Sequence, residues 1–474
     1  MQSRKINIAL NLFQLCFSAV LLCLPAFWNG FPLIFSDTVA HITSGIDLIS
    51  PIDRPIFYGL FLISTNFYKF FWSSIFIQAL LISYLYLKLG TVLFPALNKW
   101  TIYSALILTA IFTNLPWFVD QLIPDIFSSI LFLALIIFAV GRQILSKKEK
   151  MGLLGLVCLC ICMHSSNLPI AFLLIFFISL IMLLQEVQFS EIKIYFLTTI
   201  LALMIAIALL ISSNIWSHHG FTIAKTSKVF LLARMLEDET ALDYLNKNCI
   251  QENYKTCLSL PILNEAKSIQ DRANVNVKPE IKNLISSSFL WGGGVKAAGG
   301  ILEVNKEASE IILKSFLANP SRQLLLSLKN MSDQIITFKI GEQMGSYVSN
   351  AGFDKLINAS FPESYSSYIN SEQYKGILEK IFPILNLYYT YMIYLSSILW
   401  IYLIIRIRKT KESGNLVLLI LTTIIFLAVN ALVTGGMSGV FDRYQSRIIW
   451  LVPGLAFLIF SGIVDSSNKY RINL

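Results

Sequence analysis

Charged residues are scarce in this chain. Asp, Glu, Lys and Arg make up 14% of its 474 residues, whereas a soluble globular domain contains about 25%. Hydrophobic residues account for 55% of the sequence, which is more apolar surface than a globular core can hide from water. The composition therefore excludes an ordinary soluble protein and indicates an integral membrane protein.

The sequence also lacks the signatures of common soluble enzymes. It has no G-x-x-x-x-G-K-[ST] phosphate loop, no G-x-S-x-G nucleophile elbow and no H-E-x-x-H zinc motif. The paired histidines His218 and His219 have no second pair of ligands nearby, so no metal site is predicted there. The net charge is +9, but the basic residues lie at the ends of hydrophobic segments and form no stripe, which argues against a nucleic-acid partner.

The hydrophobic runs have the length of membrane spans, which need about 20 mostly apolar residues. We predict ten such helices. They cover residues 7–28, 70–91, 98–114, 121–141, 150–163, 168–185, 193–213, 385–405, 415–434 and 446–464. The basic residues that these helices leave in loops lie mainly at 4–5, 142–150, 406–411 and 469–471. By the positive-inside rule these loops and both termini are cytoplasmic.

The predicted spans divide the chain into three parts. An N-terminal membrane module covers residues 1–213, a polar insert covers 214–384, and the last membrane helices cover 385–474. The topology places the insert, with its helical-looking pieces, outside the cytoplasm. A shorter apolar stretch at 54–67, between the first two spans, is too short to cross and predicts a helix lying in the membrane interface.

Two cysteines stand apart from the others. Cys249 and Cys257 lie in the polar insert, and the other five lie in apolar runs, where they pack as small hydrophobic residues. If the insert is outside the cytoplasm, a disulfide between these two is the natural interpretation. Two unpaired thiols are the alternative, whereas a zinc site would need two more ligands nearby.

Polar side chains gather at the outer ends of the predicted spans, where ionisable residues are candidates for a functional site. The candidates are Asp37, Asp53 and Arg54 in the first outer loop, Asp125 at the start of the fourth span, His164 between the fifth and sixth spans, and Arg443 and Arg447 before the last span. Four segments that bring carboxylates, arginines and a histidine to one side of the membrane predict a site for an anionic substrate.

Each candidate also has a structural interpretation. Asp37 can be the N-cap of a helix after Ser36, and Pro124 with Asp125 can simply begin a helix, since proline favours the first turn. The neighbouring charges at 53–54 can form a local ion pair. The two arginines, four residues apart on one helical face, can bind lipid headgroups, and the histidine can be an internal hydrogen-bonding residue.

Several segments resemble an uncharacterised bacterial family of membrane proteins. They are residues 30–38, 53–59, 121–127, 164–169 and 442–447, together with the insert and its Cys249, Cys257 and 289–291. A first span, an outer loop with a carboxylate, an interface helix and many further spans also resemble the GT-C class of membrane glycosyltransferases. Many GT-C enzymes carry a carboxylate pair in that loop. Here the nearest pair is Asp37 and Asp53, which leaves a requirement for a divalent cation open.

The resemblance implies an all-α, GT-C-like protein of the bacterial inner membrane, with about ten spans and a periplasmic insert. Its donor would be a sugar linked to polyprenyl phosphate, and its acceptor a glycan or a lipid. Asp37 would act as general base on the acceptor hydroxyl. Arg54, Arg443 and Arg447 would meet the departing phosphate, while Asp53, Asp125 and His164 would bind or shape the sugar.

Two other functions remain open from the sequence. A transporter or flippase of a lipid-linked glycan would also gather charges, but it should place them at the bilayer midplane and often shows inverted repeats. Neither feature is seen in this sequence. A non-enzymatic protein of cell-envelope assembly would use the insert as a binding module and would tolerate the loss of Asp37 and Arg443.

Overall fold

Helices build most of this protein. The computed structural model describes residues 2–66, 71–273, 282–346, 351–407 and 413–472. Helices make up 78% of it, and the described residues form no strand, which confirms the all-α class. One isolated β-bridge joins Leu33 and Gln121.

The helices of the N-terminal part, among the described residues, run in the order α1 to α11. They are α1 (Gln2–Leu22), α2 (Leu24–Asn29), α3 (Thr38–Asp47), α4 (Phe57–Asn66), α5 (Trp72–Leu93), α6 (Lys99–Phe112), α7 (Leu115–Val119), α8 (Ile126–Val140), α9 (Lys147–Met163), α10 (Asn167–Leu184) and α11 (Phe189–Trp216). The predicted interface stretch at 54–67 contains α4, and residues 67–70 lie outside the described residues.

The rest of the described chain adds thirteen further α-helices. They are α12 (Ser227–Glu237), α13 (Thr240–Glu252), α14 (Leu260–Arg272), α15 (Leu284–Leu290), α16 (Gly294–Ala297), α17 (Ile301–Ala318), α18 (Pro320–Ile336), α19 (Ala351–Ser360), α20 (Pro362–Ile369), α21 (Leu378–Ile407), α22 (Ser413–Ala431), α23 (Asp442–Ile449) and α24 (Leu451–Ile472). A 3-10 helix covers Lys255–Ser259, and a π-helical turn, Leu432–Gly436, extends α22.

Six helical segments of the described residues are long and apolar enough to cross a membrane, which makes this a multi-pass membrane protein. They are Trp72–Leu93, Asn167–Leu184, Phe189–Trp216, Leu378–Arg406, Gly414–Gly436 and Asp442–Val464. Three apolar helices are shorter, namely Leu10–Leu22, Lys99–Phe112 and Ile126–Val140. The count of ten spans stays a prediction. Of the basic loops, residues 408–412 lie outside the described residues.

The chain forms two compact units. The first unit comprises Met1–Phe221, Phe338–Leu427 and Ser446–Leu474, and the second comprises Thr222–Thr337 and Ala428–Gln445. Residues 338–384, which the sequence assigned to the insert, thus belong to the first unit. They do so because side chains such as Gln373 bond to the first outer loop.

The second unit has a hydrophobic core of its own. Its central residues are Val229, Leu232, Leu236, Leu242, Leu245, Leu263, Phe289, Val304 and Ile311, all fully buried. Cys249 at the end of α13 is joined to Cys257 by a disulfide, with Cα atoms 5.9 Å apart. Both cysteines pack against the core, so the disulfide ties α13 to the following 3-10 helix.

Hydrogen bonds hold the first outer loop in place from both sides. The backbone N–H of Leu33 donates to Asp120 O (2.9 Å), and that of Leu122 donates to Leu33 O (2.9 Å). The side chain of Gln373 accepts from Ile34 N (2.9 Å) and donates to Ile34 O (2.7 Å). Since these bonds satisfy the loop's backbone groups, the loop just before Asp37 has a defined course.

The carboxyl of Asp120 is a buried part of this framework. One of its oxygens accepts a hydrogen bond from Ala26 N at 2.8 Å, at the start of α2. Burial raises the pKa of Asp120 well above its usual range, although the bonds from Ala26 and Cys23 act in the opposite direction. The Asp120 carboxyl therefore has a structural role, because it joins α2 to the 120–125 segment.

Helices α3 and α4 pack so closely that their crossing requires glycine. A Cβ atom on Gly59 would lie 2.5 Å from His41 O and 2.5 Å from Ser44 Oγ, and one on Gly45 would overlap the carbonyl of Gly59. A contact with a backbone oxygen cannot be relieved by rotating a side chain. The Gly45–Gly59 contact therefore sets the distance between the two helices.

Replacing Gly59 with alanine is expected to destabilise the protein by about 1–3 kcal/mol, because the added methyl group overpacks the crossing. Gly152→Ala is the matched control. An added Cβ there meets nothing within 4 Å, and alanine favours a helix by about 1 kcal/mol over glycine. Thermal unfolding of both variants in the same detergent tests the prediction, which is wrong if they shift the midpoint alike.

Candidate functional site

Arg54 lies between two carboxylates of the first outer loop. Its Nη1 is 3.0 Å from Asp37 Oδ1, and its Nη2 is 2.7 Å from Asp53 Oδ2. Burial lowers the pKa of Arg54, but Asp37 and Asp53 raise it by more, so that it ends above its usual value. All three side chains are half-buried. The local ion pair expected at 53–54 is thus part of a three-residue cluster.

A second cluster lies at the start of α8 and α10. Arg447 is fully buried, and its Nη1 is 2.8 Å from Asp125 Oδ1. Its Nη2 donates to Ser166 Oγ at 3.0 Å, and Ser166 Oγ lies 2.8 Å from His164 Nδ1. The backbone carbonyl of Arg447 accepts from Ser129 Oγ at 2.8 Å. A guanidinium held on several sides in this way has a fixed orientation.

His41 on α3 stands within electrostatic reach of both clusters. Burial lowers its pKa to about 3, and the cation of Arg54 and the imidazole of His164 act in the same direction, whereas Asp37 and Asp125 oppose them. Its ring packs edge-on against Tyr58, with centroids 5.1 Å apart. Among the described residues, His41 Nδ1 is buried and has no hydrogen-bond partner. The neutral imidazole of His41 therefore lies close enough to both clusters to interact electrostatically with each of them.

The buried His41 predicts acid sensitivity. Its folded pKa, about 3, lies below the ordinary 6.5, so the unfolded chain binds the proton more readily. The contribution of the neutral His41 to the free energy of unfolding is complete above about pH 6.5. It decreases as the pH drops, by up to about 1.4 kcal/mol per pH unit. Thermal unfolding between about pH 7 and pH 5 should show a shallower decline for His41→Gln than for the wild type. Equal slopes would contradict this assignment.

Three helices of the first unit begin directly after residues of the two clusters. Asp37 directly precedes α3, Asp125 precedes α8, and Ser166 precedes α10. The carboxylate of Asp37 reaches Arg54 and that of Asp125 reaches Arg447, and neither caps its own helix. The N–H groups at a helix start favour negative charge. The site therefore presents helix N-termini beside its two arginines.

An apolar cavity of about 620 Å³ adjoins the α3–α4 pair. It is lined by Gly45, Leu48, Phe57, Leu60, Phe61, Ile63 and Ser64 of the first outer loop and by Leu159 and Met163 of α9. Met163 directly precedes His164, so the cavity begins next to the second cluster. A ligand with a polar head and an apolar chain would find both environments in the first unit.

The structure brings together six of the seven predicted site residues in the first unit. Arg443 belongs to the second unit, where its guanidinium lies 5.0 Å from the ring centre of Tyr444. The described residues contain no group of three or more His, Cys, Asp or Glu side chains that could hold a metal ion.

Two residues of the site were not singled out from the sequence. His41 is one helical turn after Asp37, on the same face of α3, and this spacing was an available signal. Ser166 lies inside the 164–169 segment, but a serine there gives no pattern from which a bond to Arg447 could be predicted. Their roles follow from distances between segments far apart in the chain.

Comparison of the chain with family models finds no match, and comparisons with curated proteins and with solved structures find no significant match.

Proposed function

We propose that this protein is a GT-C-type membrane glycosyltransferase that moves a sugar from a polyprenyl-phosphate donor to a glycan or lipid acceptor. The observation that carries the proposal is the group of Asp37, Arg54, His41, Asp125 and Arg447 in one unit of a membrane protein. Carboxylates, cations and a neutral histidine at the ends of apolar helices suit a substrate that is polar at one end and a hydrocarbon at the other.

The proposed reaction needs a base at the acceptor and positive charge at the donor. The acceptor oxygen forms a bond to the anomeric carbon of the sugar, and its proton passes to the carboxylate of Asp37. The bond between the anomeric carbon and the phosphate oxygen breaks, and polyprenyl phosphate leaves with the electron pair. Asp37 suits the role of base because it is half-buried and partly open to a ligand.

Arg54 and the helix N-termini supply the positive charge for the leaving phosphate. Arg447 has a different role from the one first proposed for it. Its guanidinium is fully buried against Asp125 and Ser166, so we assign it to positioning of the site. Asp53, Asp125 and His164 complete the sugar pocket, and the apolar cavity beside α4 takes the first part of the prenyl chain.

The proposal includes a membrane and an orientation. The protein would lie in the bacterial inner membrane with ten spans, four of them the shorter helices α1, α6, α8 and α9. The termini would be cytoplasmic and the second unit periplasmic, where its disulfide is stable.

Mass spectrometry of surface glycans tests the proposal. A strain deleted for this protein is compared with the same strain carrying the wild-type chain at its normal membrane level. We expect one sugar-sized mass to be missing from the deletion and to return with the wild type. If complete lipid-linked glycans accumulate on the cytoplasmic side, a flippase is favoured. If no glycan changes, the proposal is wrong.

A further inference from the structure

Helix α18 of the second unit buries three amide side chains and exposes four large apolar ones. Gln323, Asn330 and Gln334 are buried. The exposed large hydrophobic residues are Leu324 (56%), Leu325 (67%), Leu328 (56%) and Ile336 (73%). A helix on a water-facing surface shows the opposite arrangement, with its apolar stripe toward the core.

Hydrogen bonds fix this orientation. The amide of Gln323 donates to Asp238 Oδ2 at 3.0 Å, and that of Asn330 donates to Asp238 Oδ1 at 2.9 Å. The amide of Gln334 donates to Phe441 O at 2.8 Å. Rotating the helix to bury the leucines would leave these polar groups without their hydrogen-bond partners, which is unfavourable for a buried group. The outward apolar face is therefore a stable feature of the unit.

The position of α18 indicates what covers this face. The helix packs against the π-helical turn Leu432–Gly436, which ends the candidate span Gly414–Gly436. A Cβ on Gly435 would lie 2.5 Å from Gln334 Cβ and 2.9 Å from Asn330 O, so this glycine permits the contact.

The length of that span indicates where its last turn lies in the membrane. Its 23 residues form a helix about 34 Å long, slightly more than the hydrocarbon thickness of about 30 Å. The last turn of the span therefore reaches the membrane surface, and Asn330 and Gln334 of α18, which lie against Gly435 in that turn, are close to it.

We infer that the apolar face of α18 lies in the lipid–water interface, with the headgroup and upper acyl region of a phospholipid bilayer as its partner. Leucines on one face of a helix at this depth match the pattern of an interfacial helix. Lys329, exposed beside Leu328, can extend its ammonium group to lipid phosphates. The inference does not depend on the enzymatic proposal.

Site-specific photocrosslinking of the full chain in liposomes of phosphatidylethanolamine and phosphatidylglycerol tests it. Benzoylphenylalanine is placed at Leu325 or Leu328 in separate variants and, as a control, at Lys306, an exposed residue of α17. Because all three positions are exposed, the fold should tolerate the probe, and unchanged gel-filtration elution verifies this.

We expect lipid adducts at 325 and 328 to be several-fold more abundant than at 306, as measured by mass spectrometry of the tryptic peptides. A covalent dimer in place of lipid would show that the face binds a second copy of the chain and would overturn the inference. Lipid adducts no more abundant than at the control position would overturn it as well.

Discussion

Asp37→Asn is expected to reduce glycosyl transfer by about 10²–10⁴-fold, the usual contribution of a general base. The amide keeps the size of the carboxylate but cannot accept the proton of the acceptor hydroxyl. The loss should appear in kcat, with little change in KM for the donor, because Arg54 and the helix N-termini remain. The measurement is transfer of a radiolabelled sugar by purified protein in nanodiscs.

Asp47→Asn is the matched control. Asp47 lies at the exposed end of the same helix, α3, and has no role in the proposed chemistry. It should transfer sugar at the wild-type rate. If Asp37→Asn is as active as this control in a folded protein, Asp37 is not the base. If the wild type itself transfers no sugar in reconstitution with lipid-linked donors, the proposed function fails before the base is tested.

Arg447→Met is expected to destabilise the protein by about 3–5 kcal/mol, since it leaves Asp125 buried without its guanidinium partner. It also removes the donor to Ser166 Oγ. The double variant Arg447→Met with Asp125→Leu should recover most of the stability, because an apolar pair can replace a buried ion pair at little cost. Thermal unfolding of both variants in detergent measures the difference.

The effect of Arg447→Met on stability is compared with that of Arg54→Met. Its pairs with Asp37 and Asp53 are partly open to solvent, and pairs of this kind are worth less than a fully buried ion pair. Arg54→Met should therefore lower the unfolding midpoint less than Arg447→Met does, while it lowers sugar transfer. If Arg447→Met has an equally small effect on the midpoint, Arg447 does not hold the site together, and its proposed positioning role is wrong.

The candidate site could be predicted from the sequence only in part. Asp37, Asp53 and Arg54 are close in the chain, and loop polarity at the end of a span is a local signal. The sequence could not show whether Arg54 pairs with Asp37 or with Asp53, since a long arginine side chain can reach either carboxylate. The burial of Arg447 could not be seen either, because the pattern around it fits a headgroup anchor equally well.

The amino-acid sequence by itself determined the helical class and the membrane character. A run of about 20 apolar residues is a local property of the sequence. A helix of that length is long enough to cross the bilayer. The separation of Cys249 and Cys257 is also a local property. It is short enough for the end of α13 and the following 3-10 helix to be joined by a disulfide. These features need no knowledge of distant contacts.

Only the tertiary structure decided which distant segments meet. The side chain of Gln373 bonds to the backbone of Ile34, so that the end of the predicted insert packs with the N-terminal part of the chain in the first unit. Arg447 reaches Asp125, and α18 turns its leucines outward. Such contacts depend on how whole helices pack and on which buried polar groups must find partners, and a one-dimensional pattern does not contain that information.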